Sequence, residues 1–223
     1  MIKLPDMKKL LFFILSITMF VSVLGQEGHK LNIDIDASFN LNYAFDNKDG
    51  IKDPAALGAS LGYEYDVNMF FGIEAGFRAG GFNQGIRYYD PNIGVDGFDN
   101  PYSYTETSYK GTYWAPYIAP KLYLPIAYDD KKDRAKYIFI ENRFSYTRIN
   151  LNKAKGMDAA AHKYRLVYEI RLGYQFPIDD RWAMSCWLGY NTFDFSKVKP
   201  EVIEYKNATP IQIGIGFNYI IKQ

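Results

Sequence analysis

The sequence predicts an all-β fold, an eight-stranded antiparallel up-and-down transmembrane β-barrel. Three observations carry that expectation. Apolar or aromatic residues alternate with polar or small ones over long runs, the pattern returns eight times, and the connections between runs alternate short and long. A period of two is the signature of a strand with two unlike faces. The first run, Leu31–Phe45, is much longer than the roughly 5–6 residues of an ordinary globular strand.

The expected elements follow in order. In strand one, Leu31, Ile33, Ile35, Ala37, Phe39, Leu41, Tyr43 and Phe45 oppose Asn32, Asp34, Asp36, Ser38, Asn40, Asn42 and Ala44. Strand two is Ala55–Val67, with Leu57, Leu61 and Tyr63 against Gly58, Gly62 and Glu64. Strand three is Phe70–Phe82, with Ile73 and Phe77 against Glu74 and Arg78. Strand four is expected near Thr112–Tyr128. Pro116, Pro120 and Pro125 fall inside it, and each removes a ladder donor. Bulges there, or a start later than Thr112, are the expected accommodation. Strand five is Lys136–Ile149, strand six Tyr164–Phe176, strand seven Trp182–Phe193 and strand eight Ile211–Ile221.

The connections at Asp66–Met69, Asp129–Arg134 and Pro177–Arg181 are short and polar. Those at Asp46–Pro54, Asn83–Gly111, Asn150–Lys163 and Asp194–Pro210 are longer. Outer-membrane barrels have an even strand number, short periplasmic turns and long external loops.

Residues 1–25 read as an export signal and 26–223 as one barrel domain. Lys3, Lys8 and Lys9 precede an apolar run from Leu10 to Leu24, and Val23 and Gly25 are small enough to flank a cleavage site before Gln26. An N-terminal membrane helix, the alternative, needs about 20 apolar residues, more than this run supplies. No Cys follows the run, so lipoprotein processing is not expected.

Composition agrees. A net charge of +1 gives no electrostatic basis for nucleic-acid binding. Aromatic residues make up 17% of the chain, a density suited to a membrane–water interface. Mean hydropathy is negative, as it is when only alternate residues face lipid. The single Cys186 cannot form an internal disulfide and reads as a small apolar filler.

Alternation alone leaves open which face is inside. A soluble lipocalin-like barrel would turn the apolar face inward around a ligand. An eight-stranded barrel, however, is just wide enough inside for side chains, and the apolar face carries many large residues. The polar face is rich in glycine (Gly58, Gly62, Gly72, Gly76, Gly80, Gly173, Gly214, Gly216), which makes room for long neighbours in a narrow lumen. The polar face is therefore expected inside. It would bring Glu74, Arg78, Lys121, Glu141, Arg143, Arg165, Glu169 and Arg171, from four consecutive strands, into one lumen charge network. Buried charges persist when paired and hydrogen-bonded, so a static plug is expected in preference to a proton or ion path. Tyr43, Phe45, Tyr63, Tyr65, Tyr128, Tyr164, Tyr174, Phe176 and Trp182 lie near strand ends, where two interfacial girdles belong.

This layout, from Leu31 to Lys222, resembles the eight-stranded outer-membrane β-barrel superfamily, in particular the OmpA-like and OmpX-like small barrels, in a style similar to Bacteroidetes-type envelope proteins. The alternation, the Arg/Glu lumen and the closing strand Ile211–Ile221 carry the resemblance. It implies outer-membrane localisation, contact with outer-membrane lipid and insertion by the barrel-assembly machinery. Phe217 and Tyr219 suit the assembly signal that such families carry in the last strand, although here Lys222 and Gln223 follow it.

Enzymatic chemistry finds little support. His162, near Asp158 at the external rim, would have to meet a serine to form a nucleophilic set, and His29 lies near the mature N-terminus. Asp46–Gly50 misses the spacing of a calcium loop. Gly72, Gly76 and Gly80 precede no helix, so no dinucleotide site is implied. Asn207-Ala208-Thr209 matches a glycosylation sequon of little meaning in this compartment. No cofactor and no metal are expected. The longest loop is the best candidate for contact with an extracellular or envelope partner, through Tyr88, Tyr89, Phe98, Tyr102, Tyr104 and Tyr109 among polar residues. The expected function is a non-enzymatic outer-membrane barrel serving envelope structure or surface contact. The alternatives are a barrel component of a transport or secretion assembly, a rim enzyme acting on lipid A or peptides, and the soluble lipocalin-like barrel.

Overall fold

The computed structural model describes residues 28–39, 55–89, 104–131, 134–151, 162–192 and 211–222. They form eight strands: β1 (Gly28–Phe39), β2 (Ala55–Asn68), β3 (Phe71–Tyr89), β4 (Tyr104–Asp129), β5 (Arg134–Leu151), β6 (His162–Pro177), β7 (Trp182–Asn191) and β8 (Ile211–Lys222). Each pairs antiparallel with its sequence neighbour, and β1 also pairs with β8 from Phe39↔Ile211 to His29↔Lys222, so the sheet closes. Closure leaves no edge strand along the barrel wall, which a sheet in lipid requires. No helix among the described residues is long and apolar enough to cross a membrane; the crossing is made by strands.

Side-chain exposure decides the orientation that periodicity left open. Leu57 is 67% exposed, Leu172 56% and Leu188 57%, whereas Glu74, Arg143 and Arg171 are 0% exposed. The apolar face is outside on every strand. The lipocalin-like alternative fails on this point, because its aliphatic residues would have to be buried around the lumen and here they are exposed. Leu122, Ile140, Leu172, Leu188 and Ile213 are successive register partners across β4 to β8 and make a continuous aliphatic belt. Asn142 also faces outward, and its amide oxygen accepts a hydrogen bond from the Tyr168 hydroxyl at 2.6 Å.

Cys186 lies exposed on the same outer face. In bilayer-inserted protein this thiol is expected to resist membrane-impermeant maleimides and to react once the barrel is unfolded. Rapid labelling of the folded protein in intact vesicles would contradict the membrane orientation.

The short turns are closed by side chains. Asn68 Oδ1 accepts from the Phe70 and Phe71 amides at 2.8 and 2.9 Å. Asp179 Oδ1 accepts from the Arg181 and Trp182 amides at 2.8 and 2.7 Å. Both are Asx turns, which let a reversal of few residues satisfy its own donors. At the same end Arg181 donates to the Tyr219 hydroxyl at 3.2 Å, a bond that raises the guanidinium pKa.

Most strand boundaries differ from expectation by one or two residues, and the larger differences are at β1, β3 and β4. β1 begins three residues earlier than Leu31, and the expected continuation to Phe45 lies outside the described residues, as do Tyr43 and Phe45. β7 ends at Asn191, with Phe193 likewise outside them. β3 runs on to Tyr89 and β4 starts at Tyr104, so much of the supposed loop Asn83–Gly111 is strand. Two strands can satisfy each other's backbone past the end of a barrel, and Thr105, Thr107 and Ile86 favour that extended form.

β4 starts earlier than Thr112, which excludes the late start, and a bulge does occur between Pro125 and Ala127. Its prolines are accommodated by direction. The Tyr123 amide donates to Phe70 on the β3 side at 2.8 Å, so amides of even-numbered residues turn toward β5. The register with β5 omits residues 115–116 and 119–120, around Pro116 and Pro120, while that with β3 is continuous. Pro125 shares the parity of Tyr123 and faces the space past the end of β3, where no ladder bond is missing.

Candidate functional site: the lumen and the loop-end hairpin

The inward face of β1 to β6 carries a continuous set of ion pairs. Nearest the short-turn end, Lys30 Nζ lies 2.6 Å from Asp66 and 3.4 Å from Glu64. Lys121 Nζ is shared by Glu64 at 2.8 Å, by Glu141 at 3.4 Å, and by Glu74. Asn32 Nδ2 donates to Glu64 at 2.6 Å and to Glu74 at 2.5 Å, and its own carbonyl accepts from Asn218 at 2.7 Å. The Tyr123 and Tyr117 hydroxyls donate to Glu64 and Glu74.

At mid-height Arg143 reaches Glu141 at 2.7 Å, Asp34 at 3.2 Å and Glu74 at 3.5 Å. Its guanidinium lies 3.9 Å over the Tyr117 ring. Arg171 reaches Glu169 at 2.8 Å and Asp34 at 3.3 Å, and stacks 3.8 Å over Trp187. Above them Arg78 joins Asp36 to Glu169. A planar guanidinium suits such sites because it pairs edge-on with carboxylates while its face stacks on a ring.

Seven of the eight residues singled out from sequence therefore fall in this chain of contacts: Glu74, Arg78, Lys121, Glu141, Arg143, Glu169 and Arg171. Arg165 stands on the same inward parity nearer the loop end, half-buried and opposite Thr147. The sequence reading confined the network to four strands, and the structure corrects that. Asp34, Asp36, Glu64, Lys30 and Asp66, on β1 and β2, belong to it as well. A signal for them existed. The eight predicted residues contain five cations and three carboxylates, an imbalance that a buried lumen does not tolerate. Asp34, Asp36 and Glu64 share the polar parity of their strands and supply the missing acids.

The lumen also holds large rings that sequence reasoning missed. Tyr113, Tyr117, Tyr123, Phe139 and Trp187 are buried inside. Most sit in register beside a glycine on the next strand: Gly80↔Tyr113, Gly76↔Tyr117, Phe139↔Gly173 and Trp187↔Gly214. A Cβ on Gly76 would strike the Tyr117 ring, and one on Gly214 the Trp187 ring. The glycines are spaces filled by cross-strand aromatics. Between them, rings and ion pairs fill the barrel through mid-height.

At the loop end, Gln84↔Tyr109 through Tyr89↔Tyr104 continue the β3–β4 pairing. β2 pairs with β3 no further than Asn83, and β5 with β4 no further than Gly111. Among the described residues this hairpin thus stands beyond the barrel wall. Tyr88, Tyr89 and Tyr104 lie on its strands, while Phe98 and Tyr102 are outside the described residues, as is Asp158. His162 pairs in register with Asn150. His29 stands at the other end of the barrel, with Nδ1 against the Tyr63 hydroxyl.

A closed eight-stranded barrel, apolar outside and charged within, defines an integral membrane protein of the outer-membrane β-barrel class. No family model matches the chain, and no curated protein matches it either. Solved structures with this architecture do. Neisserial surface protein A is 11% identical, with 87% of this chain and 98% of that chain covered at a TM-score of 0.50. The N-terminal β-barrel domain of Pseudomonas aeruginosa OprF is 11% identical over 87% of this chain and all of that domain (100%), with TM-score 0.43. Ail of Yersinia pestis is 14% identical over 89% and 99%, with TM-score 0.40. The match to the Neisserial protein supports the fold; at these identities the likeness extends no further.

Proposed function

We propose that this protein resides in the outer membrane as a non-enzymatic, non-conducting anchor that holds the β3–β4 hairpin at the cell surface for contact with a protein or glycan partner. The observation that carries the reading is the hairpin's continuation beyond the last residues paired by β2 and β5. Its tyrosines at positions 88, 89, 104 and 109 belong to a residue type that gives large contact area at low entropic cost. The filled lumen supports the non-conducting part, since a barrel of this size has no channel once side chains occupy it. Export through the signal at residues 1–25 and insertion by the barrel-assembly machinery belong to the same reading. β8, which closes the barrel on β1, carries Phe217 and Tyr219 on its outward parity.

The test replaces residues 84–109 with a short glycine-rich turn. The shortened barrel is expected to keep the heat-dependent gel mobility of a folded barrel. Surface crosslinking should capture a partner with the intact protein and lose it with the shortened one. Planar-bilayer recordings should show no steady openings for either. Unchanged crosslinking, or large stable conductance, would refute the proposal.

A further inference from the structure

Lys30, Arg78, Lys121, Arg143 and Arg171 face carboxylates in the lumen; Arg148 points the other way. Arg148 is on the outward parity of β5, in register with Trp114 of β4 and Tyr164 of β6. Its guanidinium carbon lies 5.8 Å from the Trp114 ring centroid and 5.6 Å from that of Tyr164. Those rings meet edge to face at 6.4 Å, Tyr164 stacks on Tyr146 at 5.2 Å, and Trp114 stacks on Phe77 at 5.7 Å. An aromatic arc thus crosses four strands at the loop end of the lipid-facing surface, with one cation over its middle.

Among the described residues no carboxylate pairs with Arg148, and its Nε is buried without a hydrogen-bond partner. Further toward the loop end, Lys110 is exposed on the same outward parity, with Thr112 and Asn150 in register between them. A cation on a lipid-facing surface is costly at mid-membrane and tolerable at the interface. There the counter-charge at hand belongs to lipid head groups. A guanidinium fork matches a phosphate in geometry as well as charge, while the surrounding rings sit at head-group depth and pack on the acyl chains below.

We infer that Arg148, with Lys110 two outward positions nearer the loop end and the Phe77–Trp114–Tyr164–Tyr146 arc beneath, forms a binding site for the phosphate of a lipid head group in the leaflet at the loop end. The site uses the membrane-facing wall and is independent of any contact made by the hairpin.

The test titrates the full barrel in detergent with diphosphorylated lipid A, or with the same lipid dephosphorylated, and counts retained copies by native mass spectrometry. The phosphorylated lipid is expected to bind at least about tenfold more tightly, the scale of charged hydrogen bonds. Arg148→Gln should remove most of that preference. Lys131→Gln, at an exposed turn at the opposite end, should leave it intact. If the Gln variant fails to fold, Arg148→Lys, which keeps the charge but not the planar fork, should lower the preference about threefold. Equal retention of the two lipids, an unchanged preference in the Arg148 variants, or an equal loss in Lys131→Gln would overturn the inference. Inorganic phosphate serves as competitor; displacement of the lipid at matched concentration would make this a soluble-anion site and overturn the lipid assignment.

Discussion

Replacing Arg143 with methionine is expected to destabilise the barrel by about 3–5 kcal/mol, the cost of removing one partner from a buried ion pair. Arg143 is fully buried and faces Glu141, Asp34 and Glu74. Its removal leaves three carboxylates with less positive charge in a space that water enters poorly, and it strips the stacking cation from Tyr117. Urea unfolding of protein inserted in lipid vesicles, followed by tryptophan emission, measures the loss. Arg143→Lys should fall between wild type and methionine, because the charge survives while the fork and the stack do not. Adding Glu141→Gln to the methionine variant should recover part of the loss by removing one uncompensated charge. Coupling of this kind is the mark of a network whose members are not additive. A methionine variant as stable as wild type would mean that the lumen charges are hydrated rather than mutually paired.

Leu172→Arg is the counterpart on the outer wall, with an expected cost of about 2–4 kcal/mol, as for a basic residue facing lipid at the bilayer midplane. Leu172 lies in the aliphatic belt between Ile140 and Leu188. The comparison is Leu166→Arg, on the same strand and face but nearer the loop end beside Tyr146. Leu166 is 75% exposed against 56% for Leu172, so exposure alone gives no reason for the deeper site to be the costlier one. Depth in a membrane does, since near the interface the cost falls to about 0–1 kcal/mol. The same vesicle-based unfolding experiment reads both. Equal costs at the two positions would remove the case for a hydrocarbon band around the barrel.

The sequence was most informative where one physical demand acts on every second residue. Leu57 and Glu74 could be assigned to opposite faces with no knowledge of their neighbours, because a strand in lipid must divide that way. The short turns were legible too, since Asn68 and Asp179 belong to the residue types that cap reversals. The β3–β4 extension was not, because past the membrane nothing forces unlike faces and the ladder alone maintains the strands. Five members of the charge network, Lys30, Asp34, Asp36, Glu64 and Asp66, were also missed. Asp34 and Asp36 were seen as polar positions, but their partners Arg143, Arg171 and Arg78 lie far along the chain, and no local pattern joins them.

Periodicity, read along the chain, settles which residues share a face and how many times the wall crosses, because the pleat turns successive side chains to opposite sides. It is blind to which face is inward, for a strand and its mirror assignment have the same period. The glycine-rich polar parity and the narrow lumen pointed to the choice, but every pairing across the lumen was made only when β8 met β1. Closure set the diameter, the diameter admitted the glycine-backed rings, and the register then placed Asp34 between two arginines.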